Sequence, residues 1–141
     1  MVSMEAELTL ATAGPATAVE LARRALAMLQ ASPTKPNSVF DQLRLLLVLA
    51  RGLRMLGKAS EALAPLQAAM RDAAPVYDPT VSVVVSDLHV ALAEALLASG
   101  KMDFARNHLD SAKAIQSRHA QLGPHYTEPV RELETRLGSP L

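Results

Sequence analysis

Two stretches of the chain repeat the same residues forty-three positions apart, and no other feature limits the possible folds as much. Leu49-Ala50, Leu53, Gly57-Lys58, Ala62, Leu66 and Ala69 return as Leu92-Ala93, Leu96, Gly100-Lys101, Ala105, Leu109 and Ala112. Eight identities at one offset, without a gap, are hard to assign to chance even in a chain rich in Ala and Leu. Self-similarity at such a period marks a stacked array of helical units, each unable to bury its apolar face alone.

Proline and glycine divide the chain into those helices. Gly14-Pro15 opens a segment to about Gln30, with Pro15 at the first helical position, where a missing N–H costs nothing. Ala18, Leu21, Ala22, Ala25, Leu26 and Leu29 recur there at helical spacing. Residues 32–37 read as a linker. Ser38, with Asp41 three residues on, gives a capping-box-like start to a long helix ending near Gly57. A shorter helix over 59–73 follows, ended by Pro75 and a turn through Tyr77. Asp78-Pro79 starts the next, which reaches Ser99. The helix from Lys101 to about Gln121 is stopped by Gly123-Pro124. A last helix over 128–137 sets Val130, Leu133 and Leu137 on one stripe amid charged residues, as a terminal capping helix requires.

Two places resist this reading. Val81, Val83, Val84 and Val85 are β-branched and could begin a strand, but periodicity beyond Asp87 is strong and no partner strand exists, so the segment is expected to be helical. Pro65 falls inside the 59–73 helix, where a bend is expected.

Composition narrows the function. The chain has 141 residues, enough for one domain with a real core, and 50% are hydrophobic but only 3% aromatic, so the core is aliphatic. Fourteen basic and fourteen acidic side chains cancel, which argues against a broad footprint for nucleic acid or anionic lipid. Without cysteine, disulfides, thiolate metal sites and cysteine nucleophiles are excluded. Ala11-Thr12-Ala13 mimics a signal-cleavage triplet, but its flank carries Glu5 and Glu7 rather than cations. The most apolar run, residues 43–56, is broken by Arg44, Arg51 and Arg54, short of the roughly twenty apolar residues of a membrane span. A cytoplasmic protein with no membrane partner is the expectation.

Around Gly57 and Gly100 the pattern resembles the tetratricopeptide repeat: small residues where paired helices touch, glycine at the tight turn, larger apolar residues elsewhere, and Pro75 closing the first copy. The family's usual period is about thirty-four residues. The longer period here is similar to the extended repeats of kinesin light chains and large bacterial regulatory ATPases, as is Leu122-Gly123-Pro124-His125. The family's bulky aromatic early in the first helix is replaced by Leu46 and His89. The resemblance implies an all-α fold: a right-handed superhelical stack of antiparallel helix pairs, about six or seven helices with a C-terminal capping helix. Residues 1–141 would form one domain, with a degenerate first repeat at 1–31, repeats at 38–75 and 79–122, and the capping helix and tail at 124–141. Gly14 aligns with Gly57 and Gly100.

In this family the first helix of each repeat lines a concave groove that receives a peptide or a partner helix. Carried over by position, the groove residues are Arg44, Leu47, Arg51, Arg54 and Met55, then Asp87, Val90, Glu94, Leu97 and Ala98. Arg44, Arg51 and Arg54 share one side of their helix, and guanidinium groups favour carboxylates, so an acidic peptide or chain terminus is the expected ligand. Equivalent positions on neighbouring helices also set Arg44 against Asp87 and Arg51 against Glu94, as lateral pairs with or without a ligand role. Arg54, opposite Leu97, is then left without an evident partner. The expected function is a non-enzymatic interaction module, with partner contacts from Arg44, Leu47, Arg51, Arg54, Met55, Val90, Glu94 and Leu97. The alternatives are a homodimer formed through Met4, Leu8 and Leu10, and a regulatory domain of a larger regulator.

Catalytic and metal readings are poor. His89, His108, His119 and His125 lack two-ligand spacing with an acidic third ligand, and His89 falls at a core-facing position. No Ser–His–Asp set, phosphate loop or carboxylate pair stands in a recognisable frame, so no cofactor is expected. The methionines, Met28, Met55, Met70 and Met102 among them, read as core filler, with Met55 the exception.

Overall fold

A computed structural model of the chain describes residues 14–30 and 38–138. These residues are all-helical, with no strand among them. Helix α1 spans Pro15–Gln30 and α2 Ser38–Met55; a 3-10 helix, Ala59–Ala62, runs into α3, Leu63–Ala73. Then come α4, Val83–Ala98, α5, Met102–Gln116, and α6, Pro124–Leu137. Met4, Leu8 and Leu10 lie outside the described residues. No described helix is long and apolar enough to cross a membrane.

The duplicated residues take up equivalent surroundings. Leu49 and Leu92, Ala50 and Ala93, Leu53 and Leu96, Ala62 and Ala105, Leu66 and Leu109, Ala69 and Ala112 are all buried. The two glycines end α2 and α4 in the same way. Gly57 (φ +75°) donates its N–H to the Arg54 carbonyl at 3.0 Å, and Lys58 donates to Leu53 at 2.7 Å. Gly100 (φ +78°) donates to Leu97 at 3.0 Å, and Lys101 to Leu96 at 2.9 Å. This is the Schellman turn, which satisfies the last carbonyls of a helix and places a residue without Cβ in the left-handed region.

Helix boundaries differ from the sequence expectation in four places, each for a local reason. The stretch before α3 is a 3-10 helix, and Pro65 is the third residue of α3, in a first turn whose N–H groups need no partner within that helix. A change of helix type therefore stands where a bend was expected. Helix α4 starts at Val83 rather than at the proline, because Asp78 is engaged in a turn: its carboxylate accepts from the Thr80 N–H at 2.8 Å and hydroxyl at 2.7 Å. Val83 to Val85 are helical, whereas Val81 stays outside. Helix α5 stops at Gln116, and Gly123-Pro124 opens α6 instead of ending α5, with Pro124 in its first turn.

Each helix packs on the next, and α2, α4 and α6 also touch one another in order, while α1, α3 and α5 share no such contacts. One apolar cluster joins α1, α2, α3 and the first half of α4, around Ala18, Ala22, Leu45, Leu53, Leu66 and Leu88. A second joins α4, α5 and α6 around Ala93, Leu96, Ala105, Leu109, Val130 and Leu133. The α1–α2 approach is close: a Cβ on Gly52 would lie 2.6 Å from Val19 Cγ2 and 3.3 Å from the Pro15 carbonyl. Polar ties hold α6 in place. Gln116 Nε2 donates to the Tyr126 carbonyl at 2.9 Å and to the hydroxyl of Ser86, a fully buried polar side chain, at 3.3 Å. Arg106 Nη2 donates to the Leu137 carbonyl at 2.6 Å, capping the end of α6.

Candidate functional site

The three helices that touch in order, α2, α4 and α6, share a cleft of about 250 Å³. Helical spacing decides which side chains reach it. On α2, Arg44, Leu47, Arg51 and Arg54 step by three or four residues and so form one stripe. On α4, Val83, Asp87, Val90 and Glu94 do the same, and on α6 the stripe is His125, Pro129 and Glu132, with Tyr126 beside it. Pro129, inside α6, has no N–H for the His125 carbonyl one turn back. The floor is aliphatic, and the three formal cations on α2 face three formal anions on α4 and α6.

The ion pairing differs from the level rungs expected from the repeat. Arg54 Nη1 lies 3.0 Å from Glu94 Oε2, so Arg54 does have a partner, and it is the residue assigned by position to Arg51. Side chains on a helix lean toward its N-terminus, and the long arginine thereby reaches the acid one turn back on the parallel neighbour. The charges that act on Asp87 are those of His125 and Arg51. Arg51 therefore stands between two carboxylates and forms no single rung with either.

Burial dominates both acids. It pushes the Asp87 carboxyl up to about 6, against the opposing pull of His125 and Arg51. Burial also raises Glu94, opposed by Arg54, Arg51 and Arg136 and reinforced by the like charge of Glu132. Asp87 has no direct hydrogen bond or ion pair to another described residue. Arg54 Nε is buried and likewise without a hydrogen-bond partner.

Of the residues singled out from sequence, Arg44, Leu47, Arg51, Arg54, Val90 and Glu94 line the cleft together with Asp87. Met55 does not: it is 56% exposed at the end of α2. Leu97 packs instead into the cluster shared by α4, α5 and α6, and Ala98 lies outside the lining. The α6 contribution, His125, Tyr126, Pro129 and Glu132, was not anticipated, because Gly123-Pro124 reads equally as a stop. The same dipeptide at Gly14-Pro15 opens α1, and that parallel was the available signal.

A second polar cluster escaped the spacing argument. His89 on α4 and His108 on α5, both partly buried, place their Nδ1 atoms 2.9 Å apart. No group of three or more His, Asp or Glu side chains among the described residues is arranged to hold a metal ion. Comparison of the chain with protein-family models, with curated proteins and with solved structures finds no match.

Proposed function

We propose that the chain is a non-enzymatic, tetratricopeptide-like interaction module of the cytoplasm that holds a peptide or helix of a protein partner in the cleft between α2, α4 and α6. In this reading the helix pairs stack as a superhelix whose inner layer is α2, α4 and α6. Support comes from the duplicated Schellman turns, from small residues buried at the repeat positions, and from contacts that link α2 to α4 and α4 to α6 but do not link α1, α3 and α5 to one another. The observation that carries the reading is the cleft itself. It has an aliphatic floor between charged walls, which suits an occupant with apolar side chains whose orientation is set by polar ones.

The test is selection of short peptides from a displayed random library, followed by titration of the selected peptide into isotope-labelled protein. Amide shifts confined to residues 43–54, 83–94 and 125–132, and weakened affinity in Arg51→Glu, are the expected result. Shifts on α1, α3 and α5, or a library that yields no binder, would overturn it.

A further inference from the structure

The cleft also says which charge its occupant brings to the α4–α6 side. We infer that this side, formed by Asp87, Tyr126 and Glu132, seats a lysine or arginine side chain of the partner segment. The inference rests on the groove reading above and specifies its chemistry.

The three arginines of α2 make an anionic ligand the obvious guess, but Arg54 is committed to Glu94 at 3.0 Å. Arg51 is exposed to water and stands near both Asp87 and Glu94. Asp87 is in the opposite condition. It is a partly buried carboxylate in the cleft wall, with no direct hydrogen bond or ion pair to another described residue. A partly desolvated carboxylate without a donor gains from an incoming N–H cation, through a charge-assisted hydrogen bond. Arg51 and His125 act on this carboxylate and oppose a further cation, but neither holds it in a hydrogen bond. Tyr126 adds an aromatic ring and Glu132, whose charge acts on Glu94, a second carboxylate in the cleft wall, while Val83, Val84 and Val90 supply apolar surface for the aliphatic stem of a lysine or arginine.

The pH dependence of such a contact has a definite sign. The titratable and charged groups around Asp87 are Arg44, Arg51 and Arg54 from α2, Glu94 from its own helix, and His125, Tyr126 and Glu132 from α6. Asp87, whose carboxyl is pushed up to about 6, is mostly ionised at neutral pH and mostly protonated near pH 5. A cation seated on it therefore binds about tenfold more weakly at pH 5 than at pH 7. An anion held by the arginines would respond in the opposite direction.

The experiment uses the peptides selected from the displayed library, measured by fluorescence polarisation at both pH values on wild type, Asp87→Asn and Glu132→Gln. Asp87→Asn is nearly isosteric and removes the charge without opening a cavity, and it separates the contribution of Asp87 from that of His125. The expected result is a shared Lys or Arg in the selected peptides, about tenfold weaker binding in Asp87→Asn, and loss of the acid response in that variant. Cleft-binding peptides that are acidic, or that bind Asp87→Asn as tightly as wild type, would overturn the cation seat while leaving the groove intact. Peptides that bind elsewhere on the protein, or none at all, would remove the groove and the seat together.

Discussion

The Nδ1 atoms of His89 and His108 lie 2.9 Å apart, one ring from α4 and one from α5, with the ring planes tilted by 37°. At that distance one nitrogen carries the proton and the other accepts it, so the contact is lost once both rings are protonated. Burial lowers His89 from 6.5 to about 4, helped by the neighbouring His108, and burial lowers His108 as well. A histidine whose folded value lies below its unfolded one takes up fewer protons folded than unfolded. Its contribution to stability is therefore lost as pH falls from about 6.5 toward 4. Urea unfolding is expected to show about 1–2 kcal/mol lost across that window, allowing for the partial exposure of both rings. His89→Leu gives this position the residue type of its repeat counterpart, Leu46, and should flatten the acid loss. An identical pH slope in that variant would assign the loss to other groups.

Helices α1 and α2 meet at Gly52, and the neighbouring side chain there is branched and cannot swing away. The missing Cβ would sit 2.6 Å from Val19 Cγ2. Alanine is the better helix former by about 1 kcal/mol, but forcing the helices apart in a close-packed seam costs about 1–3 kcal/mol. The clash wins, and Gly52→Ala should destabilise by about 1 kcal/mol. Removing the obstructing methyl groups in Val19→Ala/Gly52→Ala should recover part of that loss. Thermal melts of the two single variants and the double variant decide it, since additive losses would mean that the two residues do not meet.

The repeat was legible because it is written in packing. Small residues at fixed spacing and a glycine that must take positive φ leave marks in sequence, and Gly57 and Gly100 repeat down to the same pair of backbone hydrogen bonds. Dipeptides with two meanings were less legible. Gly-Pro both ends and begins helices, so Gly123-Pro124 could be read as a stop when it starts α6, and that single ambiguity hid one of the three helices that line the cleft. Pairing between long side chains was hidden too. A rung drawn between equivalent positions neglects the lean of helical side chains toward the N-terminus, which shifts Arg54 onto Glu94 by one turn. His89 and His108 face each other across two helices at nineteen residues' separation, a distance no short motif can encode.

The Arg54–Glu94 pair makes a measurable statement about the α2–α4 junction. Glu94 is the more buried partner, with its side chain 19% exposed against 37% for Arg54. Removing the arginine alone strands a desolvated carboxylate, whereas removing the acid leaves a cation that can still reach water. Arg54→Met should therefore destabilise more than Glu94→Gln. The coupling from a double-mutant cycle should be about 1 kcal/mol, at the upper end for a pair of this exposure. Chemical denaturation of the four proteins at neutral pH gives the number. A coupling of zero, or the reverse order of the single variants, would mean that the pair is not formed in solution.

Asp87 supplies the opposite pH dependence to the histidines, and the two can be separated. Its folded value, about 6, lies above the unfolded 3.8 because burial disfavours the charge. A carboxyl shifted in that direction contributes stability that is fully present below about pH 3.8 and lost as pH rises through 6. At neutral pH its ionisation is therefore a burden on the fold, and Asp87→Asn should be more stable than wild type by about 1–2 kcal/mol there. The gap should close by about pH 4, where the wild-type carboxyl is neutral as well. It follows that Asp87→Asn steepens the acid loss caused by His89 and His108, while His89→Leu flattens it. Urea midpoints collected across this range on both variants test the two assignments together. Equal stability of Asp87→Asn and wild type at neutral pH would show a solvated, unstrained carboxylate and would take away the physical reason for a cation to seat on it. A more stable variant that binds the selected peptides more weakly would instead locate at Asp87 a sacrifice of stability for recognition.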